Sequence, residues 1–132
     1  MMFSLTYLKF KIKFALKRFK FRCQRFVRGW AEEDTWDIAA WFIDSMKGIL
    51  PYFQKNNNGY PWDMVSEEEW DKTLLRMIYL LDGMTEEGAA AQLYGVGANM
   101  TTDRWKIARE HRRKCTEEFL HLFSVYFNEL WW

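Results

Sequence analysis

One stretch restricts the fold more than any other: Gly59-Tyr60-Pro61-Trp62-Asp63-Met64-Val65-Ser66-Glu67-Glu68-Glu69-Trp70. Asn56-Asn57-Asn58-Gly59 ends a helix, because Asn and Gly tolerate the left-handed backbone that closes one. Pro61 fixes its own φ and holds Tyr60 extended. Ser66 is a strong N-cap with Glu69 three residues on, which predicts a capping box. Val65 and Trp70 stand at the two positions of a hydrophobic staple. Glu67, Glu68 and Glu69 fill the first turn, where the helix dipole favours negative charge, so this acid serves capping before it serves metal or catalysis. Tyr60 and Trp62 are the turn residues that remain as candidate contacts.

A turn this well specified needs helices on both sides, and the rest of the chain supplies them. Residues 4–28 mix two periods. Lys9-Phe10-Lys11-Ile12-Lys13-Phe14 alternates like a strand, but Leu5, Leu8, Ile12, Leu16, Phe19, Cys23 and Phe26 line one helical face for more than five turns. Helix is the stronger reading. Phe3, Phe10, Phe14 and Phe21 then fall among the cations on the other side, as exposed aromatics that call for a partner. Gly29 ends this helix.

A second segment, 32–55, carries Trp36, Ala39, Ile43, Met46, Leu50 and Phe53 at helical spacing. Pro51 inside it predicts a kink, or a break near Gly48. The third runs from Ser66 to about Met84 with Trp70, Leu74, Met77, Ile78 and Leu81 inward. Residues 85–93 read as a short helix and 95–99 as a loop. The last segment, 102–130, begins at a Thr101 or Thr102 cap and turns Trp105, Ala108, Cys115, Phe119, Leu122 and Tyr126 inward. Its closing aromatic residues call for a docking surface on the body or on a second copy of the chain. The expected fold is all-α: four main helices in a compact irregular bundle forming a single domain, residues 1–132.

Charge divides the chain. Residues 1–31 hold nine cations, Lys9, Lys11, Lys13, Lys17, Arg18, Lys20, Arg22, Arg25 and Arg28, and no acid. Residues 32–132 hold ten basic and eighteen acidic residues, a net charge of −8. This asymmetry implies that the basic helix docks on the acidic body or meets an external polyanion. Nucleic acid fits through phosphate neutralisation and stacking on the interleaved Phe residues. An anionic membrane surface fits through the same pattern. Lys or Arg interrupts every apolar run well short of the roughly 20 residues a span requires, and no continuous apolar leader forms. The chain is therefore expected in the cytoplasm. Cys23 and Cys115 suit a reducing compartment, and nothing in their spacing requires a disulfide.

Catalytic signatures are missing from the sequence. It has no P-loop, no G-x-S-x-G elbow and no G-x-G-x-x-G. Glu118 and His121 make one Glu-x-x-His half-motif, whereas a di-iron bundle needs two such pairs and two further carboxylates. His111 and Cys115 lie one turn apart without a second pair to complete a zinc site. Cys115 near Arg112, Arg113 and Lys114 invites a reactive thiol, but its place on the inner stripe favours a packed one. The expectation is a non-enzymatic protein without metal or cofactor.

Arg28-Gly29-Trp30 through Trp36-Asp37, then Ile49-Leu50-Pro51, Gly59-Tyr60-Pro61, Ser66 to Asp71, and the closing Leu122 to Trp131, resemble a family of small uncharacterised proteins of tailed phages and prophages. The Gly-Tyr-Pro turn followed by Glu-Glu-Trp is the most specific part. The resemblance implies a virus-encoded accessory protein in the cytoplasm of a bacterial host, binding a host or phage protein. A counter-defence role would block a host protein or sequester a nucleotide signal. Trp105, Arg109, Arg112 and Arg113 have the composition to take such a phosphate-bearing ligand by stacking and bidentate contacts.

Overall fold

The computed structural model describes residues 2–131, with side chains from Ser4 onward. Met1, Trp132 and the side chain of Phe3 lie outside the described residues. These hold five α-helices, two 3-10 turns and no strand: α1 (Met2–Arg28), α2 (Ile38–Asn56), α3 (Glu67–Asp82), α4 (Glu86–Tyr94) and α5 (Thr102–Tyr126). The all-helical class is as expected. Five helices stand where four main ones were expected, and the short helix read over 85–93 forms as α4, capped by Thr85, whose hydroxyl accepts from the Gly88 N–H at 3.0 Å. The chain divides into two compact units, Met1–Phe42 and Ile43–Trp132.

In the first unit, α1 ends at Gly29, whose φ of 84° only glycine adopts without strain. A 3-10 turn at Glu32–Thr35 follows, and α2 starts afresh at Ile38. The single helix expected over 32–55 is split because the acids have two tasks. Asp37 accepts from the Ala40 N–H at 2.9 Å and so caps α2. Asp34 accepts from the Ala31 N–H at 2.7 Å and folds the preceding turn. The expected break near Gly48 does not occur, and α2 runs on through Pro51. Pro51 cannot donate to the Lys47 carbonyl. Gly48, three residues before it, has open space at its Cβ position. Leu50 and Phe53, both buried, hold the turn from the other side.

In the second unit, α5 packs against α3 and α4. Trp70, Leu74, Met77, Leu80 and Leu81 of α3 and Ala108, Cys115 and Phe119 of α5 are buried, largely the stripes their periodicity marks. Trp70 meets Tyr126 edge-on, ring centres 5.3 Å apart. Small residues let α4 come close to α5: Ala89, Ala90 and Ala108 form one buried cluster, with Met100 and Trp105 packed on it.

The Ser66 cap forms, accepting from the Glu69 N–H at 3.2 Å. Glu69 reaches one residue further back than a capping box requires and accepts from the Val65 N–H at 3.0 Å. The staple does not form. Val65 is 85% exposed, and Met64 is the buried residue before the cap. α5 ends at Tyr126 rather than Leu130 and tightens into a 3-10 turn, Phe127–Glu129.

Candidate polyanion-binding face

α1 is the element on which cations and exposed apolar side chains coincide. At 100° per residue its side chains sort into two apolar stripes separated by two basic rows. One stripe runs Leu5, Leu8, Ile12, Leu16, Phe19, Cys23 and Phe26, and all of these are exposed. The other holds Tyr7, Phe10, Phe14 and Phe21. The sequence marks the first stripe as the inward one and leaves Phe21 outward. The structure reverses this at the C-terminal end of α1. Phe21 is only 6% exposed, with Trp36 edge-on at 5.7 Å, while Phe26 is 92% exposed.

The reversal has an electrostatic cause. Gly29 turns the chain back, so Glu32, Glu33 and Asp34 come to lie beside the last turns of α1. Arg25 donates to Glu33 and, at 3.0 Å, to Asp34. Lys20 pairs with Glu32 at 3.3 Å, and Gln24 accepts from the Glu32 N–H at 2.8 Å. Arg25 and the Ala31 N–H hold the Asp34 carboxyl below the usual carboxylate range, and Lys20 does the same for Glu32. Trp36 thus settles over Phe21, with Lys17 5.9 Å from the Trp36 ring centre. An open groove of about 490 Å³ results, lined by Phe14, Lys17, Arg18, Phe21, Arg22, Arg25, Glu33 and Trp36. Trp36 and Glu33 were not legible as groove residues. The available signal was an acid tract set within five residues of a helix-ending glycine.

The remaining residues singled out on α1 stay on its surface. Phe10 and Phe14 stack with ring centres 6.4 Å apart. Lys11 lies over Tyr7 and Arg18 over Phe14, each at 5.0 Å. Lys9, Lys13 and Arg22 are exposed and pair with none of the carboxylates of their own unit. α1 therefore presents cations that its own unit neutralises only at Lys20 and Arg25.

The arginines of α5 are differently placed. Arg109 and Arg112 share Glu86 at 3.5 and 3.8 Å. Arg113 is held by Glu110 and Glu117. Trp105 is half-buried on the small-residue cluster. These side chains answer carboxylates and core, and they do not converge on one ligand position. Tyr60 borders a shallow recess of about 160 Å³ beside Pro61, Trp70 and Trp131, and Trp62 stands apart at 90% exposure.

Among the described residues no three His, Cys, Asp or Glu side chains gather where an ion would sit. Glu118 takes a hydrogen bond from Arg76 at 2.8 Å, and His121 is exposed. His111 Nε2 lies 2.8 Å from Gln92 Oε1 and 3.5 Å from Cys115 Sγ. The Gln92 amide donates to the Tyr79 carbonyl, which leaves Oε1 as acceptor and His111 Nε2 as donor. Burial pushes the Cys115 thiol up, the opposite of what a nucleophile needs. No helix among the described residues is long and apolar enough to cross a membrane.

No protein-family model matches this chain, and no curated protein or solved structure is significantly similar to it.

Proposed function

We propose that this protein is a non-enzymatic accessory protein that works by binding, with α1 as its contact element for a polyanionic partner. One observation carries the reading: residues 1–31 present nine cations without an acid, and among the described residues of its unit only Lys20 and Arg25 are ion-paired. Such a row gains affinity by releasing counterions from a polyanion. The exposed aromatic and aliphatic side chains between the cations add apolar contact. The likeness of the Gly-Tyr-Pro turn and its Glu-Glu-Trp helix start to small phage proteins supports a virus-encoded origin and a place of action inside the bacterial cell. The α5 arginines contribute less to this reading, since Glu86, Glu110 and Glu117 already answer them.

The test is titration of the full chain against heparin and against a fluorescent oligonucleotide over a range of salt. Binding to at least one polyanion is expected, weakening steeply as salt rises. Replacing Lys9, Lys11 and Lys13 by Gln lowers both the affinity and its salt slope. Absence of binding to every polyanion, anionic vesicles included, rejects the reading.

A further inference from the structure

The polyanion has so far been defined only by charge. The uncharged stripe of α1 narrows it. Leu5, Leu8, Ile12, Leu16, Phe19 and Phe26 occupy about a quarter of the helix circumference and run for about 30 Å at 1.5 Å per residue. All six are more than half exposed. Lys11, Arg18 and Arg22 border the stripe on one side, and Lys9, Lys13 and Lys20 border it on the other. An apolar strip between two rows of cations is the cross-section of a helix lying in the plane of a lipid surface. Its aliphatic side chains enter the acyl boundary while the lysines and arginines reach up to the phosphates.

Three other occupants fit less well. A second copy of α1 would bring two acid-free basic borders together, and like charges would repel. Nucleic acid would leave Leu5, Leu8, Ile12 and Leu16 without a counterpart, because bases stack on aromatic rings rather than aliphatic chains. The rings best placed to stack, Tyr7 and Phe14, already have Lys11 and Arg18 near them. A protein groove would need acidic rims on both sides of an apolar floor. Helix α1 is not apolar enough to cross a bilayer, so contact with lipid would be made along the surface. Resting on the polyanion reading above, we propose that the partner of α1 is an anionic lipid surface, entered by the stripe from Leu5 to Phe26.

The test uses the full chain with vesicles of phosphatidylcholine, with and without about one third phosphatidylglycerol. Co-sedimentation is expected with the anionic vesicles and not with the neutral ones. Replacing Lys9 and Lys13 together by Gln weakens it by about 25-fold, at roughly fivefold per cation near the surface. The charge-neutral pair Ile12→Asn and Leu16→Asn weakens it at least about tenfold, and circular dichroism confirms that the helix content is kept. The same pair separates lipid from nucleic acid. Salt-sensitive oligonucleotide binding that survives Ile12→Asn and Leu16→Asn, with no vesicle binding, overturns the lipid inference and leaves the polyanion reading standing. Equal binding to neutral and anionic vesicles also overturns it. Failure to bind any of the three probes overturns both.

Discussion

α1 and α5 carry the same kind of sequence, a long helix with an apolar stripe and a crowd of cations, and the structure treats them in opposite ways. In α5 the stripe is covered, with Ala108, Cys115 and Phe119 buried. Arg109, Arg112 and Arg113 are answered by Glu86, Glu110 and Glu117. In α1 the stripe is open from Leu5 to Phe26, and within the unit acid reaches only Lys20 and Arg25. An amphipathic pattern states that a face needs covering but not by what. The interleaved acids are more informative. α5 brings its own at Glu110 and Glu117, which hold Arg113, and meets Glu86 of α4 at Arg109 and Arg112, whereas α1 brings none and leaves its charge for something outside the helix.

The largest test of this contrast is a matched pair of truncations. Phe119→Ala empties a fully buried site and is expected to cost about 3–5 kcal/mol in chemical denaturation. Phe19→Ala, on the open stripe of α1, stays within about 0.5 kcal/mol. If Phe19→Ala costs as much as Phe119→Ala, the stripe of α1 is a core face and the contrast collapses.

Gly88 measures how tightly the closed region is built. A Cβ there would stand 1.8 Å from the Asp82 carbonyl oxygen and 2.7 Å from Thr85 Oγ1. Backbone cannot yield as a side-chain tip can, so Gly88→Ala is expected to cost about 3 kcal/mol. Gly48→Ala is the control, since nothing lies within 4 Å of its Cβ position in mid-helix. It should stabilise by up to about 1 kcal/mol. Melting temperatures of the two variants moving in opposite directions would bear this out.

What could be read in advance was local. Ser66, Thr101 and the inward positions Trp70, Leu74, Met77, Ala108, Cys115 and Phe119 follow from hydrogen bonds and periods that close within a turn or two of helix. What could not be read depends on where the chain goes next. Val65 stands in the right place for a staple, yet Met64 takes the buried position. Phe21 and Phe26 look alike in sequence, and only the reversal at Gly29 decides that Trp36 covers the first and not the second. Arg109 has the composition of a phosphate ligand until α4 brings Glu86 to it. The cations of α1 were legible as an acid-free row, because residues 1–31 hold no Asp or Glu. The groove beside Trp36 was not, because its walls come from both sides of a turn.

The two cysteines give a smaller contrast between the same regions. Cys23 lies on the open stripe of α1 and Cys115 on the closed stripe of α5. Burial raises the Cys115 pKa, so at mildly alkaline pH its thiolate is both scarce and screened from reagent. Titration of the native protein with a thiol reagent should show one fast and one slow phase, separated by at least about tenfold in rate. Cys23→Ser removes the fast phase and Cys115→Ser the slow one. Two fast phases would mean that α5 opens readily.

The smallest expected effect concerns the one part of α1 that is covered. Asp34 titrates below its ordinary value of 3.8, first because Arg25 donates to it and then because the Ala31 N–H does. A carboxylate whose folded pKa is depressed contributes fully above the unfolded value, and the contribution is lost as pH falls through the folded one. The contact of the 3-10 turn with α1 is therefore intact from neutral pH down to about the ordinary aspartate range, and it loosens only below it. Following the Asp34 carboxyl and the Trp36 indole by NMR over acid pH should show both changing together, below the ordinary aspartate midpoint. Arg25→Gln should bring the Asp34 midpoint back up and leave Glu32, which is held by Lys20, low. An Asp34 that titrates normally in the wild type would mean that Arg25 does not clip the turn to α1.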